Sequence, residues 1–237
     1  MEARDLKDSS TLCIAREVEE LRDRVLRMGG LVESQLLNAI QAVVRGDSSL
    51  GLRVARDDYK VNACEVGIDE QCSRLLSSQL EDATDVRLII AIIKTITDLE
   101  RIGDEAEKIG YLASQLAAME RPHDSYQELR ALGQHVAHMV RDAMNAFARL
   151  EGQEALEIVR RDEKADEEYN TIVRHCIASM TEDPRAVERI MNVTWAARSL
   201  ERIGDHAKNI CEYVIYMVHG RDIRHTQGSE FSGLGAD

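Results

Sequence analysis

Two carboxylates four residues apart, Glu100 and Asp104, return later in the chain as Glu201 and Asp205. They belong to the segment Leu99-Glu100-Arg101-Ile102-Gly103-Asp104-Glu105-Ala106-Glu107-Lys108-Ile109. It recurs as Leu200-Glu201-Arg202-Ile203-Gly204-Asp205-His206-Ala207-Lys208-Asn209-Ile210, 101 residues on (Glu100 to Glu201), with eight of eleven positions identical. Such a match marks an internal duplication. On an α-helix, residues i and i+4 lie one above the other, so each pair turns two carboxylates toward one neighbour. On an open surface one such pair costs only about 0.2–0.5 kcal/mol. Two pairs converging from adjacent, partly buried helices cost far more per uncompensated charge. Something positive must balance them: the adjoining Arg101 and Arg202, or bound divalent metal. An all-oxygen donor set suits Mg²⁺ or Mn²⁺, and bridging carboxylates also serve iron and, less typically, zinc.

Further acids stand where they would oppose these pairs. Asp58, Asn62, Glu65 and Asp69 fall in one stripe of a helix, beside the apolar row Val54, Val61, Ile68 and Leu75. In the second half Asp162 and Asp166 occupy the corresponding place. Packed helices lie 8–10 Å apart, close enough for both sets to share an ion. The candidate metal ligands are therefore Glu100, Asp104, Glu201, Asp205, Asp162, Asp166, Asp58, Glu65 and Asp69. The competing reading is a solvated acidic face bridged to Arg and Lys. Glu107 lies on the Glu100–Asp104 stripe, but its counterpart is Lys208, and it is read as solvated surface. His206 follows Asp205 yet points about 100° away, which makes it a minor candidate. His135 and His138 have no matching acid pair and read as surface; Trp195 is expected in the core. Gly103 and Gly204 sit mid-helix, where Gly costs about 1 kcal/mol relative to Ala, and imply a close approach by a neighbour.

The elements that position these residues are helical throughout. Leu21, Val25, Met28, Val32, Leu36, Ala39 and Val43 keep a three-or-four spacing that stops near Gly46-Asp47. The second helix ends near Ser77-Ser78; a third runs from a Thr84 N-cap to about Met119, before Pro122. Asp124 with Gln127 resembles a capping box opening a fourth helix. Gly152 breaks the chain before a fifth, from Glu154 to Met180. Asp183-Pro184 reads as an N-cap followed by Pro at the first position of a sixth, which Gly220 ends. The expected fold is all-α: six long helices in two duplicated three-helix bundles, residues 1–121 and 122–225, with a disordered tail over 226–237.

Composition narrows the function. The 237 residues carry a net charge of −13, which opposes sequence-independent contact with DNA or RNA. Aromatic residues make up only 4% and there are two prolines, as suits helices. Five cysteines lack Cys-x-x-Cys spacing, which argues against a structural zinc site or a disulfide framework. Met1-Glu2-Ala3-Arg4-Asp5 lacks the apolar stretch of a signal peptide, and the longest apolar run, Leu88 to Ile93, is too short for a membrane span. The expectation is a reduced, cytoplasmic protein without membrane insertion.

The doubled Leu-Glu-Arg-Ile-Gly-Asp frame, with Met28-Gly29-Gly30-Leu31-Val32-Glu33 and Asp85-Val86-Arg87, closely resembles the PhoU family of bacterial phosphate-uptake regulators. The resemblance covers the chain from about Leu21 to His225. It implies paired three-helix bundles with multinuclear metal clusters at Glu/Asp-x-x-x-Asp motifs, here Glu100/Asp104, Glu201/Asp205 and Asp162/Asp166. Asp58 is followed by Asn62, a departure that weakens that position and brings forward Glu65 and Asp69. The family further implies a non-enzymatic, often dimeric adaptor that links the ATPase subunit of the high-affinity phosphate transporter to the phosphate-sensing histidine kinase. Such an adaptor is cytoplasmic, meets the inner membrane through its partners, and holds phosphate-starvation signalling off.

Two other classes fit helices with acidic faces. A carboxylate-bridged di-metal oxidase needs Glu-x-x-His pairs on facing helices, and the sequence offers only Glu120 to His123, across Pro122. A metal-free helical scaffold needs nothing further.

Overall fold

In the computed structural model the chain is described over residues 2–77, 83–121 and 126–220, with side chains from Arg16 onward. No strand occurs among these residues. The helices are α1 (Glu2–Arg45), α2 (Ser48–Asp57), α3 (Tyr59–Ser77), α4 (Ala83–Ala117), α5 (Gln127–Arg149), α6 (Gly152–Glu182) and α7 (Val187–His219). The all-α expectation holds. Helices α2 and α3 form the single second helix read from sequence, interrupted only at Asp58, whose carbonyl accepts the amides of Val61 and Asn62.

Each helix is held by its apolar stripe. Leu21, Val25, Met28, Val32, Leu36 and Ala39 of α1 are fully buried, and Val54, Val61, Ile68 and Leu75 of α2 and α3 are buried as well. Helix α4 packs on α1, α2 and α3, while α7 packs on α5 and α6; the two sets join through α4 against α7 and α1 against α5.

Local chemistry sets the ends. Gly46 turns α1 off in the left-handed region at φ 67°, and the Asp47 carboxylate then caps α2 by accepting the Leu50 amide at 2.9 Å. Arg121 closes the other side: its Nη2 donates to the Val43 and Val44 carbonyls at 2.8 and 3.0 Å, and its guanidinium lies 4.2 Å from the Tyr126 ring centre. Gly220, also at φ 67°, ends α7 as expected.

Three sequence expectations change at boundaries. The break before α6 falls on Leu150, at φ 55°, and Gly152 is already helical. Asp183 caps as expected, accepting the Arg185 amide at 3.0 Å, but Pro184 opens a single 3₁₀ turn before α7. Thr84 lies inside the first turn of α4 rather than capping it. Ser78, Pro122, the Asp124 cap and the 226–237 tail lie outside the described residues. Trp195 is half exposed, at 52%, rather than core. It shares a cleft with Tyr111, Leu112, Arg198 and Arg202 on the outer side of the α4–α7 seam.

Candidate metal centre

The first acid cluster grows from the contact of α3 with α4. A Cβ added to Gly103 would stand 3.0 Å from Asp58 Oδ1 and 3.2 Å from Val61 Cγ1. Glycine there lets the Asp58 carboxylate, only 4% exposed, press against the α4 backbone. Gln35 Nε2 of α1 donates to Asp58 Oδ1 at 2.8 Å, and Asn62 Nδ2 donates to Asp58 Oδ2 at 3.1 Å. Asp58 is thus held by neutral donors.

Asp58, Asp104 and Glu107 each bring a carboxylate oxygen within 4.8 Å of the others. Glu107, read from sequence as solvated, is a member of the cluster: three residues beyond Asp104, it faces the same neighbour. Burial and the surrounding charges push Glu100, Asp104, Glu107 and Glu65 above the usual carboxylate range. Burial is the larger cause for each; next come Asp104 for Glu100, Asp58 for Asp104 and Glu107, and Asp69 for Glu65. Asp69 itself is exposed, one turn beyond Glu65. Among the described residues no lysine or arginine forms an ion pair with Asp58, Glu65, Glu100, Asp104 or Glu107. Lys108 instead binds Glu105, at 3.0 Å.

The second cluster repeats the frame. Asp162 and Ala165 of α6 stand against Gly204 as Asp58 and Val61 stand against Gly103, with the Asp162 carboxylate 3.6 Å from the Cβ position. Burial raises Asp205, helped by Asp162 and Asp166; it raises Glu201, helped by Asp205, and Asp166, helped by Asp162. Here cations enter. Lys208 Nζ donates to Asp162 Oδ2 at 2.8 Å, and Arg198 Nη1 donates to Glu201 Oε1 at 2.6 Å. The other Glu201 oxygen, Oε2, is buried without a hydrogen-bond partner.

His206 belongs to neither cluster. Its Nδ1 lies 2.7 Å from Asp98 Oδ1, which also accepts from Asn209 Nδ2 at 3.2 Å; all three sit in the α4–α7 seam. Glu105, likewise buried, pairs there with Arg202 at 3.2 Å. Sequence reasoning missed Asp98 and Glu105 because only the docking of α7 on α4 supplies their partners. His135, expected on the surface, is half-buried against Glu168 at 3.2 Å, while His138 is exposed.

Carboxylate clusters where paired helices of a duplicated helical bundle meet define a class of all-α protein with repeated acidic faces. The PhoU domain model matches twice, at residues 25–113 and 129–214, and the chain belongs to the PhoU family. Among its relatives, a PhoU homologue of Pseudomonas putida, described as a phosphate-specific transport system accessory protein, is 48% identical over 88% of this chain and 82% of its own. The Escherichia coli accessory protein PhoU is 44% identical over 92% of this chain and 90% of its own. The crystal structure of PhoU from Pseudomonas aeruginosa superposes with a TM-score of 0.85 at 46% identity, covering 87% of this chain and 99% of that one. The phosphate transport system regulatory protein PhoU of Streptococcus pneumoniae gives 0.82 at 26% identity, covering 88% and 98%.

Proposed function

We propose that this protein is a cytoplasmic, non-enzymatic accessory regulator of phosphate transport, which couples the transporter's ATPase subunit to the phosphate-sensing histidine kinase and keeps the starvation response off. The observation that carries this reading is the twice-matched PhoU domain, with relatives named as accessory proteins of phosphate-specific transport. No helix among the described residues is long and apolar enough to cross a membrane, so attachment at the membrane would run through the transporter. A net charge of −13 likewise routes any control of genes through a partner. A homodimer is the assembly this reading expects.

The acid faces then serve as divalent-cation sites. The residues fit: Asp58, Asp104 and Glu107 converge within 4.8 Å, with Glu100 and Glu65 beside them, and among the described residues no Lys or Arg is paired with any of the five. Asp162, Asp166, Glu201 and Asp205 would form the second set. A bound Mg²⁺, Mn²⁺, iron or zinc ion would neutralise these carboxylates and clamp each helix pair. The residues' own part is to hold oxygens at fixed positions on rigid helices.

Deleting the gene should leave the starvation response on in high phosphate, and that effect should vanish when the sensor kinase is deleted as well. Normal repression in the single deletion would sink the adaptor reading, as would specific promoter binding by the purified protein at physiological salt.

A further inference from the structure

The two acid clusters differ by a charge reversal at equivalent positions. Glu107 and Lys208 hold the same place in the duplicated frame, three residues after Asp104 and Asp205. In the first cluster Glu107 adds a carboxylate beside Asp58 and Asp104. In the second, the half-buried Lys208 ammonium is tethered to Asp162 at 2.8 Å. A second difference lies on the opposite wall. At Gly103 that wall is Gln35, which is only 8% exposed and whose buried Oε1 has no hydrogen-bond partner beside Asp58; at Gly204 it is the apolar Val136. Asn62 in turn holds the place of Asp166, so each cluster carries four carboxylates at the aligned positions, and Glu65, whose counterpart is Tyr169, gives the first a fifth. The first cluster also has an unused neutral oxygen and, among the described residues, no resident cation, whereas the second holds Lys208 on Asp162 and Arg198 on Glu201.

Hard-cation affinity rises with the number of charged oxygen ligands. An ammonium is a compact point charge, so one already seated on a carboxylate repels an incoming dication at close range. Resting on the reading of these faces as cation sites, we propose that they bind divalent cations unequally. The first cluster is the tighter site, and Lys208 is a resident cation that metal must displace from Asp162 to fill the second.

The test is titration of the full chain with Mn²⁺ alone, followed by calorimetry and by electron paramagnetic resonance of free Mn²⁺. Two events at least tenfold apart in Kd are expected. Asp104→Ala should abolish the tighter event and Asp205→Ala the weaker. Lys208→Gln should tighten the weaker event at least tenfold, whereas Lys208→Arg, which keeps the charge and controls for folding, should leave it unchanged. Glu107→Lys should weaken the tighter event at least tenfold. Indistinguishable affinities in the wild type, or a weaker event that Lys208→Gln does not move, would overturn the inequality while cation binding itself stood. No Mn²⁺ bound by either the wild type or Lys208→Gln at millimolar concentration would overturn both.

Discussion

Helix α4 in the first half and α7 in the second share a frame, yet each meets its neighbour differently. A Cβ on Gly51 of α2 would stand 2.4 Å from the Gly110 carbonyl oxygen of α4, so those two backbones touch. The aligned positions of the second half are Ala155 and Cys211, both fully buried, and side chains fill the same crossing. Asp58 is bonded by the neutral Gln35 and Asn62, and Asp162 by the Lys208 ammonium. Duplication has kept the helix frame and three carboxylates of each half, Asp58, Glu100 and Asp104 and their counterparts Asp162, Glu201 and Asp205. The spacing of the helices and the compensating charge have diverged.

The sharpest way to break this comparison is at the backbone contact. Gly51→Ala should destabilise the protein by about 3 kcal/mol, because a carbonyl on a packed helix cannot move aside as a flexible side chain would. The reverse change at the aligned position, Ala155→Gly, should cost less, about 2 kcal/mol, from lost helix propensity and the lost burial of one methyl. Urea unfolding of both variants decides it. Equal losses would show that the crossings are alike.

The two mid-helix glycines give an effect of opposite sign. Gly103→Ala pushes a methyl against Asp58 Oδ1 and Val61, and should lower stability by about 1 kcal/mol after the propensity gain is included. Gly204→Ala meets nothing closer than 3.6 Å and should raise stability by up to about 1 kcal/mol. Thermal melts of the two variants measure the difference. A stabilising Gly103→Ala would mean that the Asp58 contact is loose.

A smaller effect tests the charge. Asp104 titrates above its unfolded value, first through burial and then through Asp58. The folded state therefore holds the proton to higher pH than the unfolded chain. Its contribution falls as pH rises from the ordinary carboxylate range through the raised range, and the full penalty stands at pH 7. With chelator present, Asp104→Asn should raise stability at pH 7 by about 0.5 kcal/mol. That advantage should shrink as pH falls through the raised range toward the ordinary carboxylate range. An advantage independent of pH would assign it to packing.

Most of the helical frame was legible in the sequence because apolar spacing and turn chemistry are local: the α1 stripe, the Gly46 and Gly220 stops and the Asp183 cap all stand where their residue types place them. The paired acids were legible because four-residue spacing fixes their face. Glu107 was not. Its counterpart Lys208 suggested solvent, when the structure puts the glutamate in one cluster and the lysine in the other. A conflict of charge at aligned positions was itself the signal that both mattered. Trp195 escaped for another reason: residue type favours burial, but α7 turns that side to the outer edge of the α4–α7 seam, where no third helix among the described residues lines its cleft.

Crystals soaked in Mn²⁺ and measured at the manganese edge test the acid faces most directly. An anomalous peak enclosed by Asp58, Asp104 and Glu107, stronger than any peak beside Asp162 and Asp205, is the predicted result. A map with no peak at the first cluster, or with one only at the second, would contradict the account.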